Sequence, residues 1–128
     1  MQLFGRVTEG LGTALDLYQA RHQVLAENIA NSETPGYRAR DLQFADQLAA
    51  ALAPPAPGTA AASEAAPSEP LRAEPGIDRG AALKPDGNSV ALDVQVGRLS
   101  ENAFKIEALT QILSGRYASL KRAIDGGK

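Results

Sequence analysis

His22, the carboxylates Asp16, Glu27, Asp41, Glu101 and Glu107, and the arginines Arg38 and Arg40 are the side chains in this 128-residue sequence that could carry chemistry. A general base or a zinc site needs a second ligand or a nucleophile beside it, and the chain holds one histidine and no cysteine. His22 also falls between Tyr18 and Leu25 on an apolar stripe, where it reads as a seam residue. The carboxylates are spread over helix surfaces, as solvated charges or intersubunit ion pairs are. Arg38 and Arg40 would suit a phosphate, but a net charge of -2 and a pI near 5.4 favour pairing with acidic groups of neighbouring subunits. Gly36 lacks the further glycines of a phosphate-cradling loop. The reading is therefore of no catalytic residue, no metal or cofactor site, no nucleic-acid partner and no small-molecule substrate.

The elements that would position these residues are two long helices. From Phe4 the residues Val7, Leu11, Leu15, Tyr18, His22, Leu25 and Ile29 recur at spacings of three or four, which places them on one stripe of a helix. Gly5, Gly10 and Gly12 weaken the first turns by about 1 kcal/mol each relative to Ala, so the helix is expected to firm up near Leu11. At the other end of the chain Leu92, Val96, Leu99, Ala103, Ile106, Thr110, Leu113, Tyr117, Leu120 and Ile124 form a heptad stripe with one polar member. Val94, Phe104, Leu109 and Ile112 widen that apolar face, which predicts more than one neighbouring helix. Leu11, Leu15, Tyr18, Leu25 and Ile29 of the first helix, with Leu92, Val96, Leu99, Ile106, Leu113, Tyr117, Leu120 and Ile124 of the second, form the expected packing interface.

Between the helices lies a corner, Asn28-Ile29-Ala30-Asn31-Ser32-Glu33-Thr34-Pro35-Gly36-Tyr37. Asn31 suits a helix end, and Pro35 biases Thr34 away from helical angles. Thr34 to Tyr37 fits a type II turn, with Pro35 fixing the first central residue and Gly36 accepting positive φ at the second. Asn28, Asn31, Thr34, Pro35, Gly36 and Tyr37 are taken as the assembly turn. A short helix over Leu42 to Leu52 follows, with Asp41 as a possible cap. Seven of the eight prolines lie within residues 53–88, which read as a flexible or polyproline-like connector that leaves room for a short strand pair or ordered loop. Asp86 to Ser89 supply turn and capping residues before the second long helix.

Only 5% of the residues are aromatic and there is no Trp, so helix-on-helix packing suits the supply of Ala, Leu, Ile and Val better than a thick core. The expected fold is all-α: an elongated, coiled-coil-like pair of long N- and C-terminal helices with a short third helix and a Pro/Ala-rich irregular connector. Its parts are residues 1–31 (first helix), 32–53 (turn and short helix), 54–88 (connector) and 89–128 (second helix). A lone intramolecular hairpin would account for the stripes but not for the wide second face, so the pair is expected to pack sideways on other subunits. The first residues lack the pattern of a cleaved signal peptide, and no stretch approaches a membrane span.

The corner, followed by Arg38-Ala39-Arg40-Asp41-Leu42, resembles the N-terminal signature of bacterial flagellar rod, hook and related axial proteins. Asp86-Gly87-Asn88-Ser89-Val90, Leu99-Ser100-Glu101-Asn102-Ala103, Leu113-Ser114-Gly115-Arg116-Tyr117 and Leu120 to Ile124 are similar to the proximal rod protein of the FlgB type. The resemblance covers about the first fifty and last forty residues; Ala91, Gly97 and Ile106 depart from its usual pattern. It implies a structural part without enzymatic activity, whose paired terminal helices line the rod channel and which is exported largely unfolded. It further implies a basal-body location in the periplasm-spanning rod and a role in joining the membrane ring and export gate to the rest of the rod while transmitting torque. Implied partners are copies of itself, other rod proteins, the rod-base adaptor and export-gate subunits. The alternative is a soluble helical adaptor or export chaperone that binds a partner helix.

Overall fold

A computed structural model describes residues 2–52 and 74–126. In chain order they form α1 (Gln2–Ala30), β1 (Arg40–Asp41), α2 (Phe44–Leu52), β2 (Gly76–Ile77) and α3 (Leu92–Asp125). The expected all-α pair of long terminal helices with a short third helix is what the structure shows. At 1.5 Å per residue α1 is about 43 Å long and α3 about 51 Å. They run antiparallel: the Asn28 amide meets Gln95, while the Asn102 amide donates to the Tyr18 carbonyl at 2.8 Å. Both chain ends therefore lie at one end of the pair and the corner at the other.

Two local expectations shift. Helix α1 begins at Gln2 rather than near Leu11, since glycine lowers helix stability without forbidding helical angles. The connector's first part, residues 53–73, with Pro54, Pro55 and Leu71, lies outside the described residues, but its last part folds back on the corner. There β2 pairs antiparallel with β1, in the register Arg40 to Ile77 and Asp41 to Gly76.

The seam between the long helices also differs from the predicted stripes. On α1 the buried residues are Ala14, Leu17, Val24, Leu25 and Asn28, one position earlier than the predicted set except for Leu25. The reason is a second neighbour: α2 covers the flank of α1, and the Phe44 ring lies 4.2 Å from that of Tyr18. Leu11, Leu15, Tyr18, His22 and Ile29 are half-buried, and Tyr18 meets α2 through Phe44. On α3 the fully buried residues are polar, Gln95 and Asn102, one heptad apart. Leu99, Ile106, Leu113 and Leu120 flank them half-buried, whereas Leu92, Val96, Tyr117 and Ile124 are exposed. The predicted seam is corrected accordingly, because a two-helix pair covers one side of a heptad stripe and leaves the other to solvent.

Burial is unevenly distributed along the pair. Every fully buried described residue lies within residues 14–28, 39–42 or 88–102, the half that carries the corner. In the far half, from Val7 to Thr13 and from Ala103 to Gly126, the side chains are intermediate or exposed only. Folding stability within the single chain is thus concentrated at the corner end.

Candidate functional site

The corner is a joint made from two separate segments. The first, residues 28–41, leaves α1 and becomes β1; the second, residues 84–95, leads into α3. Asn31 N–H donates to the Glu27 carbonyl at 3.1 Å, and the Asn31 amide donates to the same oxygen at 2.8 Å. This ends the helix by satisfying one of its last carbonyls. The type II turn follows as expected: Tyr37 N–H donates to the Thr34 carbonyl at 3.2 Å, and Gly36 has φ +72°.

A side chain at Gly36 would meet nothing within 4 Å, so the requirement for glycine is purely conformational. Gly36→Val is expected to lower the unfolding free energy by about 2 kcal/mol, and Gly36→Asn by about 1, because Asn tolerates left-handed angles and a β-branched residue does not. Chemical denaturation of the two variants checks this; equal stability of wild type and Gly36→Val would remove the strain argument.

Asn28 is the hub of the joint. Its side chain is fully buried and uses all four of its hydrogen-bonding positions. The amide nitrogen donates to the Arg40 carbonyl at 2.6 Å and to Gln95 Oε1 at 3.0 Å; the amide oxygen accepts from Arg40 N–H at 3.0 Å and from Tyr37 Oη at 3.4 Å. In a strand the N–H and C=O of one residue point to the same edge, so the Asn28 amide stands where a neighbouring strand would be. The opposite edge of the same strand is served from two places: Asp78 N–H, directly after β2, donates to the Ala39 carbonyl at 2.9 Å, and Ser89 Oγ of the second segment accepts from Ala39 N–H at 2.9 Å.

Asn88 does for the turn what Asn28 does for the strand. Its buried amide donates to the carbonyls of Asn31 at 3.0 Å and Thr34 at 2.7 Å, and its oxygen accepts from Val90 N–H at 2.6 Å. Backbone bonds complete the closure: Gly36 N–H to the Asp86 carbonyl at 3.0 Å and Ser89 N–H to the Tyr37 carbonyl at 3.0 Å. Val90 and Ala39, both fully buried, fill the space between the two segments.

A charge cluster fastens the joint to both helices. Arg21 on α1 grips Asp41 with two parallel hydrogen bonds of 2.8 and 2.7 Å. Arg98 on α3 donates to Asp78 at 2.7 Å and stands 3.6 Å from Asp41. Burial by itself would raise the Asp41 pKa, but the Arg21 guanidinium, the Leu42 N–H and Arg98 outweigh it and hold the carboxyl below its ordinary value. Arg40 makes an exposed 2.6 Å pair with Glu27 in the same chain, of the kind that contributes little. Among the described residues no group of three His, Asp or Glu is placed to hold a metal ion.

The sequence-predicted turn residues Asn28, Asn31, Thr34, Gly36 and Tyr37 are therefore brought together, with Pro35 exposed at the tip. Asp41 does not cap α2, which starts three residues later; its oxygens are taken by Arg21 and the Leu42 N–H. Asn88 and Ser89 tie the two segments together rather than cap α3, whose N-cap position is held by Ala91 with no side-chain capping bond. Gln95 and Asn102 escaped apolar periodicity because they are polar; the signal that could have found them is their one-heptad spacing directly before the stripe members Val96 and Ala103.

No family model matches the chain. It is similar along most of its length to curated rod proteins. The flagellar basal body rod protein FlgB of Cereibacter sphaeroides is 34% identical over 121 residues, covering 88% of this chain and 89% of the relative. The protein of the same description from Escherichia coli K12 is 29% identical over 139 residues, with 89% of each covered. That of Bacillus subtilis is 27% identical over 142 residues and spans both chains completely.

Proposed function

This chain belongs to the FlgB family of flagellar basal body rod proteins, and we propose that its helix pair packs sideways on neighbouring rod subunits through the apolar flanks of α3 while the joint sets the exit direction of residues 38–88. It is a structural subunit of the proximal rod in the flagellar basal body, assembled with other rod components. In the finer reading, α1 and α3 line the rod channel, and the subunit meets the rod-base adaptor and the export gate and transmits torque. Among the described residues no helix is long and apolar enough to cross a membrane.

One observation carries the sideways packing. Val94, Phe104 and Ile112 stay exposed on α3 away from the buried Gln95 and Asn102, and Val96, Tyr117 and Ile124 on the uncovered half of its heptad stripe, with Phe104 at 72% and Ile112 at 50%. Exposed apolar residues on both flanks of one helix mark interaction surface rather than core. A paired substitution, Phe104→Asp with Ile112→Asp, is expected to change the stability of the purified chain by less than about 1 kcal/mol yet abolish swimming and remove the subunit from purified basal bodies. Normal motility and incorporation in that variant would refute sideways packing through this flank.

A further inference from the structure

We propose that the ridge made by Ile77 between Arg38 and Arg79 docks on the outer face of α1 in a second copy of this chain. The inference rests on the rod reading and names one contact within it. Ile77 is 58% exposed on β2, and two shallow concavities meet along it, both lined by Arg38, Ile77, Asp78 and Arg79. The carboxylate of Asp78 is already taken by Arg98. Arg38 and Arg79 make no ion pair or side-chain hydrogen bond among the described residues, unlike Arg21, Arg40 and Arg98. The ridge is an aliphatic side chain flanked by two unpaired cations.

The complementary pattern lies on α1. Glu9, Gly12 and Asp16 follow one another at spacings of three and four on the side turned away from Ala14, Leu17 and Val24. Neither carboxylate has an ion-pair partner among the described residues. They stand about 10 Å apart along the axis at 1.5 Å per residue. A side chain at Gly12 would meet nothing within 4 Å, so nothing in the chain itself calls for a glycine in the middle of this helix, where it disfavours helix formation. A glycine between two carboxylates is complementary in charge, and open in space, to an aliphatic side chain between two guanidiniums.

The two surfaces cannot meet within one molecule. Ile77 is tied through Arg40 to Asn28 at the joint end of α1, and Gly12 lies sixteen residues further down the same helix. The contact is between different patches of identical chains, hence heterologous, and repeats around a ring or along a helix as a rod requires.

The chain has no cysteine, so introduced thiols report the contact directly. With Gly12→Cys and Ile77→Cys in the same full-length chain, basal bodies isolated under oxidising conditions should give a ladder of covalent multimers, and neither single variant should exceed a dimer. Arg38→Glu with Arg79→Glu should lower incorporation at least tenfold, and adding Glu9→Arg with Asp16→Arg should restore most of it. Should the thiols disturb incorporation, the charge exchange decides. Failure of that rescue, absence of the ladder in normally assembled basal bodies, or a crosslink from position 77 to a different rod protein would each overturn the contact. Absence of the wild-type chain from basal bodies would instead sink the rod reading itself.

Discussion

Asn28→Leu is expected to reduce the unfolding free energy by about 4 kcal/mol, the largest loss from any single substitution in the joint. Leucine preserves the volume, so no cavity opens; what is lost is polar pairing. The Arg40 N–H and carbonyl and the Gln95 side chain would all lose the partner they have at 2.6 to 3.0 Å. Leaving a buried donor or acceptor unpaired costs about 1 to 3 kcal/mol per group, and partial relaxation keeps the sum below the maximum. Asn28→Asp should be intermediate, because it retains the acceptor for Arg40 N–H and loses both donors. Urea denaturation of the three proteins checks the order; a Leu variant as stable as wild type would show that the amide is not the hub.

Asn88→Ala is expected to cost about 3 kcal/mol through a different part of the joint. Its amide joins two carbonyls of the turn, from Asn31 and Thr34, to the segment that starts α3. The turn itself keeps its Tyr37 to Thr34 bond, so the loss appears as separation of the two segments rather than unfolding of the turn. Val90 N–H, which donates to the Asn88 oxygen at 2.6 Å, should exchange with solvent faster in this variant by a larger factor than global destabilisation explains. Unchanged stability together with unchanged Val90 protection would mean that backbone bonds alone hold the segments.

The parts of this architecture that were legible in the sequence are those written in local chemistry. Pro35 and Gly36 announce the turn because each is confined to, or permitted in, particular dihedral angles. Heptad spacing announces α3 because a long amphipathic helix must repeat its apolar side chains. The tertiary facts were less visible. Periodicity gives the existence of an apolar stripe, but its centre on α1 is displaced by α2, whose Phe44 takes Tyr18 to its own side. Asn88 and Ser89 look like any turn residues until the chain returns across more than fifty positions to meet Asn31 and Ala39. Gln95 and Asn102 look like surface residues, and only the opposing Asn28 and the Tyr18 carbonyl explain their burial. Arg40 and Glu27 likewise find each other inside the chain, where charge alone suggested neighbouring subunits.

The buried residues hold the single chain together at the joint, and under the proposed sideways packing the far halves of α1 and α3 gain their burial from neighbours in the rod. Native-state hydrogen exchange on the purified chain and on the same chain within isolated basal bodies tests this most directly. The expected result for the purified chain is strong protection over residues 24–41 and 86–102 with weak protection over 5–12 and 110–124, and a rise in protection at those far segments on assembly. Uniform protection along both helices in the purified chain, or a joint that exchanges as fast as the helix ends, would contradict it.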